Sequence, residues 1–298
     1  MKIGYIEYAF KKQYRGIYKD EDAELLAFLK EKGLDIESLI WTDPDIDWRD
    51  YEVVILKSPW DYHERIGEFY DWLEYLQKTG VRLLNPAEMV RWNSNKKYLA
   101  DIMASGLPVI PSRFLEAGSR LEQAEIYFKE FGTDRLVVKP CVSGGAKNTV
   151  ILTPDSDHTV KETINRLLAQ ESFLIQPFVD EIKNGEWSFV FFNGRYSHHV
   201  LKVPGQEDFR VQQQHGGITK YDVAGGEAYA GKAQQYIQQF AGNTLYARVD
   251  GVIMRHGFYL MELEMIEPYL FLNGDKSRME NYLGALNNLL WQGTDRRL

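Results

Sequence analysis

Carboxylates near the end of the chain have the type and spacing of a metal site. The segment YLMELEMIEPYLF, residues 259–271, has the composition of a strand and carries Glu262, Glu264 and Glu267. Side chains on a strand alternate between its faces, so Glu262 and Glu264 share one face. YARVDGVIM precedes it across the turn RHG and predicts a hairpin partner, which brings Asp250 within about 5 Å of that face.

Like charges on one strand face need a reason to stay together. They are stable if they face water, pair with basic side chains or hold a cation. Mg²⁺ is a hard cation that prefers oxygen ligands, and phosphate oxygens would complete its coordination shell. The sequence therefore indicates a metal site, and an exposed acidic sheet face is the alternative that the hairpin pattern leaves open.

A second segment, LVVKPCVSGGAKNTV, has the pattern of a phosphate-binding loop. A β-branched strand ends with Lys139 and Pro140, and Ser143, Gly144 and Gly145 form a loop before the next strand. Glycines let backbone N–H groups approach a polyanion, and the lysine adds a point charge. It is not a Walker A loop, because no Gly-Lys-Ser/Thr is present and a strand follows. A glycine-rich hairpin without a ligand is the alternative.

A third segment, FLIQPFVDEIKNGEWSFV, ends an apolar strand in a polar connection. Backbone groups of such a connection can form hydrogen bonds with the edge of an adenine ring. A carboxylate a few residues further on, Glu186 here with Asp180 as the competing candidate, can bind a ribose. An ordinary strand–loop–strand is the alternative.

Alternating elements at the start of the chain predict a parallel α/β domain at residues 1–92. Its strands KIGYIEY, IESLIW, EVVILKS and VRLLN are interleaved with helices at about 21–32 and 63–78. The helical segment NSNKKYLADIMAS, which carries Lys96, marks the boundary. Residues 93–180 form a central lobe, and residues 181–298 form a strand-rich C-terminal lobe with a hairpin turn at Asn193-Gly194. The predicted fold is α/β followed by two α+β lobes.

Composition excludes several classes of protein. A net charge of −8 and a pI near 5.4 argue against general nucleic-acid binding. No apolar run reaches the roughly 18 residues of a membrane span, and the N-terminus reads as a strand, so we expect no membrane association. The single cysteine, Cys141, rules out an internal disulfide framework and favours a reducing cytoplasm.

The order of these segments resembles the ATP-grasp superfamily, and within it the glutathione-synthetase-type ligases. The likeness is carried by SPWDY, WNSNKKYL, VVKP, DFRVQQQHGG, YARVD and MELEMIEPYLF, spread over residues 58–271. Within that group, the chain resembles the branch of the O-ureidoserine cyclo-ligases. The resemblance implies an ATP-grasp fold whose two α+β lobes enclose the nucleotide.

The resemblance also implies a role for each candidate residue. ATP phosphates would contact Lys96 and Lys139 under the loop that includes Ser143, Gly144 and Gly145. The adenine ring would bind to Gln176 and to the backbone of Pro177, Phe178 and Val179, and the ribose to Glu186 or Asp180. Asp250, Glu262 and Glu264 would hold two Mg²⁺ ions, with Mn²⁺ as an alternative. Arg210 and Lys202 would stabilise the transferred γ-phosphoryl group.

The implied activity is an ATP-dependent carboxylate–amine ligation through an acyl phosphate. Many members of the family end the metal signature with Glu-x-Asn, whereas this chain has Glu264 there, which puts the number of ions in doubt; many also have Glu where Gln176 stands. A small-molecule kinase and a non-catalytic nucleotide-binding module are the alternatives. The expected partners are small carboxylate and amine substrates, with a homodimer also allowed for. Trp60 follows a parallel strand, where ligands bind in open α/β sheets.

Basic residues in the N-terminal region are candidates for receiving a substrate carboxylate. They are Lys11, Lys12, Arg15 and Arg65. A solvated surface is the alternative for all four.

Overall fold

The computed structural model describes residues 1–8, 20–205, 210–212, 214 and 216–291. Its first unit is a parallel sheet in the order β2-β1-β3-β4. The strands are β1 (Ile3–Glu7), β2 (Ile36–Ile40), β3 (Val53–Leu56) and β4 (Arg82–Leu84). Helices α1 (Glu21–Glu31) and α2 (Ile66–Thr79) alternate with them. This is the parallel α/β arrangement that the alternating pattern predicts.

The middle of the chain forms an antiparallel sheet in the order β5-β8-β6-β7. Two helices precede it, α3 (Ala87–Asn93) and α4 (Tyr98–Ala104). The sheet and its own helices are β5 (Arg113–Leu115), α5 (Ala124–Phe131), β6 (Leu136–Pro140), β7 (Val150–Leu152), α6 (His158–Leu168) and β8 (Phe173–Pro177). The expectation that Lys96 lies on a helix is wrong, because the helix breaks between α3 and α4 and Lys96 lies in the turn.

The third unit is a five-stranded antiparallel sheet in the order β11-β10-β9-β12-β13. Its elements are β9 (Glu186–Phe192), β10 (Arg195–Val203), β11 (Ile218–Tyr221), α7 (Glu227–Phe240), β12 (Tyr246–Met254) and β13 (Gly257–Glu264). Asn193 and Gly194 both have positive φ, 45° and 74°, as the tight hairpin turn between β9 and β10 requires.

The last helix, α8 (Lys276–Trp291), packs between the first and the third unit. Tyr282 and Leu286 of α8 share one buried cluster with Leu25 of α1 and with Val190 and Phe192 of β9. The helix therefore contributes to the core of both units. Within the described residues, no helix is both long enough and apolar enough to cross a membrane.

Candidate active site

Almost all of the candidate residues line one cavity of about 500 Å³. Its lining includes Lys96, Lys139, Ser143, Gly144, Gly145, Gln176, Pro177, Phe178, Val179, Glu186, Lys202, Arg210, Asp250, Glu262 and Glu264. Asp180 is not part of that lining. Its side chain is 60% exposed and accepts a hydrogen bond from Arg135 Nη2 at 2.7 Å. Of the two ribose candidates, only Glu186 faces the cavity.

The hairpin of β12 and β13 carries the acidic side chains that form one wall of this cavity. Asp250 pairs directly with Glu262 across the hairpin, and Arg248 pairs with Glu264. Leu263, which lies between the two glutamates on β13, is buried in the hydrophobic core behind the sheet. The period of two therefore directs the carboxylates to the cavity face, as the sequence predicts.

Each of these carboxylates pairs with a basic side chain. Lys96 Nζ lies 3.0 Å from Glu262 Oε1. Lys202 Nζ lies 3.0 Å from Asp250 Oδ2 and also pairs with Glu186. The sequence leaves open whether the carboxylates face water, pair with basic side chains or hold a cation. In the structure they pair with basic side chains at the cavity wall.

Arg248 is a site residue that the sequence reasoning missed. Its Nη2 donates to Asp250 Oδ2 at 2.8 Å and to Glu264, and its Nη1 donates to the carbonyl oxygen of Tyr269 at 2.9 Å. The signal was available in YARVD, because Arg248 and Asp250 are two residues apart on one strand and must share a face. Arg248 thus bridges two of the three acidic side chains.

The pKa directions differ among the three carboxylates. Burial raises the pKa of Glu262, but Lys96 and Lys139 outweigh it and the pKa lies below its usual value. The pKa of Asp250 is also lowered, because Arg248 and Lys202 outweigh burial. The pKa of Glu264 lies well above its usual range, because burial and the nearby charges of Asp250 and Glu262 outweigh Arg248. A further cation near Glu264 would relieve this repulsion.

The donor chemistry of this wall fits a divalent metal. Carboxylate oxygens are the ligands that Mg²⁺ prefers, and the raised pKa of Glu264 marks a site short of positive charge. Among the described residues, however, no group of three or more His, Cys, Asp or Glu side chains is arranged to hold an ion. Lys96 and Arg248 occupy carboxylate oxygens that an ion would need, so binding requires these cations to share their partners.

Lys139 differs from the other basic residues of the cavity. Its side chain forms no hydrogen bond or ion pair with any residue that the structure describes, although it lines the cavity on β6. Burial lowers the pKa of Lys139, with Lys96 adding to the effect. A half-buried cation without a partner is costly, and an anionic ligand would offset the cost.

The glycine-rich loop lies across the cavity and contacts three other segments. Lys96 Nζ donates to the carbonyl oxygen of Ser143 at 2.9 Å, and Gln214 Nε2 donates to that of Gly145 at 3.1 Å. A Cβ on Gly144 would lie 2.9 Å from His63 Cδ2, so a side chain there would clash. Gly145 has a φ of 58°, which favours glycine. The close approach of His63 therefore explains the glycine at position 144, and the positive φ explains the glycine at position 145.

An apolar slot forms one end of the cavity. Ile110, Val179 and Ile182 belong to one buried cluster, and Met261 packs against it. The Gln176 side chain is buried, and its Nε2 donates to Ser112 Oγ at 2.8 Å. The N–H of Val179 forms no backbone hydrogen bond within the described part of the chain. The slot therefore offers a flat apolar space with a backbone donor at its edge.

The N-terminal domain lines the opposite end of the cavity. Trp60 and His63 lie there, together with Glu267 from the segment after β13. Trp60 Nε1 donates to the carbonyl oxygen of Glu267 at 3.3 Å. His63 and Glu267 are not among the predicted site residues, although Glu267 lies within MELEMIEPYLF and His63 directly follows SPWDY. We call this region the acceptor end.

Of the four basic residues expected to receive a carboxylate, Arg65 lies within the described residues, and it does not line the cavity. Arg65 pairs with Glu68 on the surface and is absent from the lining residues that the structure describes. Lys11, Lys12 and Arg15 lie outside the described residues.

Two family models match the chain. The prokaryotic glutathione synthetase ATP-grasp domain matches residues 119–270. The N-terminal domain of D-cycloserine synthetase DcsG matches residues 6–85.

Curated relatives match part of the chain. Cycloserine biosynthesis protein DcsG of Streptomyces lavendulae is 34% identical over 185 residues, which is 60% of this chain and 60% of that protein. Glutathione synthetase of Prochlorococcus marinus subsp. pastoris is 26% identical over 148 residues, or 49% of this chain and 45% of that protein. The matched region therefore spans less than two thirds of the length of either relative.

Solved structures match over nearly the full chain. The crystal structure of D-cycloserine synthetase DcsG has a TM-score of 0.82 at 25% identity, covering 97% of this chain and 100% of that one. D-alanine–D-alanine ligase from Bacillus anthracis complexed with ATP has a TM-score of 0.71 at 16% identity over all of both chains, which shows a common fold. The predicted fold class is confirmed.

Proposed function

Because the chain belongs to the prokaryotic glutathione synthetase family of ATP-grasp proteins, we propose that it is an ATP-dependent ligase that joins a carboxylate to a nitrogen nucleophile. The observation that carries this proposal is Lys139, a half-buried lysine without a described partner, facing a wall of three carboxylates across one cavity. This arrangement suits a nucleotide phosphate chain with a divalent cation.

The nucleotide extends along the cavity from the apolar slot to the carboxylates. Adenine enters the slot beside Gln176, where the N–H of Val179 faces a ring nitrogen and Pro177 and Phe178 border the ring. Glu186 takes the ribose hydroxyl groups. Lys139 and Lys96 bind the phosphates, and the backbone of Ser143, Gly144 and Gly145 covers them.

Asp250, Glu262 and Glu264 would hold the metal, which we propose to be Mg²⁺, with Mn²⁺ as the alternative. When bound, it supplies charge neutralisation for the nucleotide phosphates. Arg248 contacts one oxygen of Glu264, which leaves the other oxygen for the metal. It donates to both oxygens of Asp250, so a metal ion bound there would share these oxygens with Arg248.

The chemistry needs no covalent nucleophile from the protein. A substrate carboxylate oxygen attacks the γ-phosphorus, the bond to ADP breaks, and an acyl phosphate forms. The nitrogen nucleophile then attacks the acyl carbon, phosphate leaves with the bonding electron pair, and the nitrogen loses a proton. The protein contributes alignment and charge stabilisation, with Arg210 and Lys202 near the transferred group.

The substrate is proposed to be a small, amino-acid-like molecule. The acceptor end is a limited space between Trp60 and the glycine-rich loop, and the relatives named above act in cycloserine and glutathione synthesis. We also propose a cytoplasmic location, since the single cysteine, Cys141, cannot form an internal disulfide. A homodimer stays a prediction, which analytical ultracentrifugation would check.

A substrate screen tests the proposed function. ATP, Mg²⁺ and the protein are incubated with single amino acids, pairs of amino acids and dipeptides, and ADP, phosphate and product mass are measured. A ligase releases ADP and phosphate together with a product formed by loss of water. ADP with a stable phosphorylated product would indicate a kinase instead, and no turnover with any substrate would favour the non-catalytic module.

A further inference from the structure

Two polar side chains at the acceptor end have no proposed contact with the nucleotide or the metal. His63 and Glu267 both line the cavity on the side away from the apolar slot. Neither side chain forms a hydrogen bond or ion pair with another residue in the described part of the chain; the Glu267 carboxylate is contacted by its own backbone N–H. Polar groups in such a position normally have a partner.

The two side chains both lie against the glycine-rich loop and line the same cavity. A Cβ built on Gly144 would lie 3.0 Å from His63 Nε2 and 3.8 Å from Glu267 Oε1. A ring nitrogen and a carboxylate oxygen are therefore both close to Gly144, in the loop that covers the phosphates. An acyl phosphate formed under this loop would lie beside these two side chains.

The ring of His63 and the backbone of Glu267 are held by neighbouring contacts. His63 lies in the 3₁₀ turn Tyr62–Glu64, with its ring packed edge-on against Tyr62 at 5.8 Å between centroids. The carbonyl oxygen of Glu267 accepts from Trp60 Nε1 at 3.3 Å, and the next carbonyl oxygen, of Pro268, accepts from buried Lys57 Nζ at 3.3 Å. The points from which both side chains extend into the cavity are therefore fixed by these contacts.

The local charge balance favours a hydrogen-bond donor or a cation as the ligand. The nearby basic groups are already used: Lys96 pairs with Glu262, and Lys147 pairs with Glu64 at 2.6 Å. Burial raises the pKa of Glu267 to about 8, with Glu262 adding to the effect and Lys96 opposing it. Burial lowers the pKa of His63, which keeps the ring neutral and able to accept.

We propose that His63 and Glu267 bind the N–H groups of the nucleophilic nitrogen, so that the accepted nucleophile is one with an unsubstituted –NH₂ group, as in a primary amine or hydroxylamine. This inference rests on the proposed ligase function and names the residues that select its second reactant. Glu267 accepts from one N–H and His63 from another, which turns the nitrogen lone pair towards the acyl carbon.

Hydroxylamine is a suitable probe, because it intercepts an acyl phosphate and yields a hydroxamate that is measured by its colour with iron(III). The assay uses ATP, Mg²⁺ and the best carboxylate from an amino-acid panel. For Glu267→Gln and for His63→Phe, we expect the KM for hydroxylamine to rise at least tenfold, while the KM for ATP changes less than twofold. N,N-dimethylhydroxylamine, which lacks N–H groups, should compete poorly with hydroxylamine in the wild type.

Glu64→Gln is the matched control, because Glu64 lies at the same end of the cavity but pairs with Lys147. Its KM for hydroxylamine should stay within twofold of the wild type. The inference is overturned if Glu267→Gln leaves the KM for hydroxylamine unchanged, or if it raises the KM for ATP equally. A wild type that forms neither ADP nor hydroxamate with any carboxylate would instead overturn the ligase function itself.

Discussion

The protein contains two clusters of buried ion pairs with the same chemistry and different surroundings. The first, which we call the N-terminal cluster, consists of Lys57, Glu21 and Asp22. Lys57 Nζ lies 3.0 Å from both carboxylates, and the side chains are 1%, 2% and 4% exposed. The remaining carboxylate oxygen capacity is used by backbone N–H groups of residues 270 and 272 and by the hydroxyl of Tyr5.

The second, the cavity cluster, consists of Asp250, Glu262 and Glu264 with their basic partners Lys96, Lys202 and Arg248. Glu264 and Glu262 are 24% and 32% exposed, towards the cavity. Burial of like charges therefore does not identify a functional site, because both clusters have it. What distinguishes the cavity cluster is access: its carboxylates keep oxygens directed at a space that a ligand can enter.

The largest expected effect is on turnover, from Glu262→Gln in the cavity cluster. A neutral amide is a poor ligand for a hard divalent ion, so we expect the rate of phosphate release to fall on the order of 1,000-fold. Steady-state assays over a range of Mg²⁺ concentrations would measure it. Activity within tenfold of the wild type would contradict a ligand role.

The same variant also tests the stability of the metal-free protein. The sequence alone suggests that loss of a like charge leaves stability unchanged or raises it. The structure instead predicts a loss of stability. Lys96 and Lys139 lower the pKa of Glu262, so its ionised form stabilises the fold at pH values above the usual carboxyl pKa. We expect a modestly lower melting temperature for Glu262→Gln without Mg²⁺ at pH 7, and a rise would contradict the lysine pairing.

The N-terminal cluster should respond to mutation in stability rather than in nucleotide binding. Lys57→Met leaves Glu21 and Asp22 buried without a cation, which should cost about 3–5 kcal/mol in the free energy of unfolding. Urea denaturation would measure this loss, and the KM for ATP of the remaining folded protein should change less than threefold. The control is Lys78→Met, which removes an exposed pair with Glu74 and should leave the urea midpoint unchanged.

The sequence predicts the cavity cluster better than the N-terminal one, for a physical reason. Asp250 and Glu262 are brought together by a local hairpin, whose register follows from the turn and the period of two. Lys57 and Glu21 are 36 positions apart and meet because a strand end and a helix start pack together, with a third segment near residue 270 closing over them. Such contacts depend on tertiary packing, which no local pattern encodes.

The dependence on tertiary packing also explains why the sequence predicts some of the site residues wrongly and misses others. The helical segment NSNKKYLADIMAS predicts a helix through Lys96, yet the chain turns there and Lys96 N donates to the carbonyl oxygen of Cys141 at 2.7 Å. His63 and Glu267 were missed because each comes from a different unit of the fold. Gly144 was interpreted through phosphate binding alone, whereas the close approach of His63 also requires it.

Lys139 differs from the cations of both clusters, because its side chain lines the cavity and forms no hydrogen bond or ion pair with a described residue. Lys139→Ala should lower ATP affinity about 10- to 100-fold, equal to roughly 1.4–2.8 kcal/mol, since a charged contact with a phosphate is removed. The fold should remain intact, because no described hydrogen bond or ion pair depends on this side chain. Calorimetric titration with ATP, beside a thermal melt of the free protein, would measure both. Unchanged affinity would contradict the phosphate role.

The smallest expected effect separates Asp180 from Glu186, the two carboxylates that the sequence could not rank. Asp180 is 60% exposed and pairs with Arg135 on the surface, so Asp180→Asn should leave the KM for ATP within twofold of the wild type. Glu186 lines the cavity and pairs with Lys202, so Glu186→Gln should raise that KM by about tenfold through loss of a hydrogen bond from ribose to a charged group. Parallel KM measurements with ATP and 2′-deoxy-ATP would test the pair: the deoxy substrate should lose affinity in the wild type and in Asp180→Asn, but little further in Glu186→Gln. A larger effect from Asp180→Asn would reverse the assignment, and would mean that the exposed pair, rather than the buried one, contacts the nucleotide.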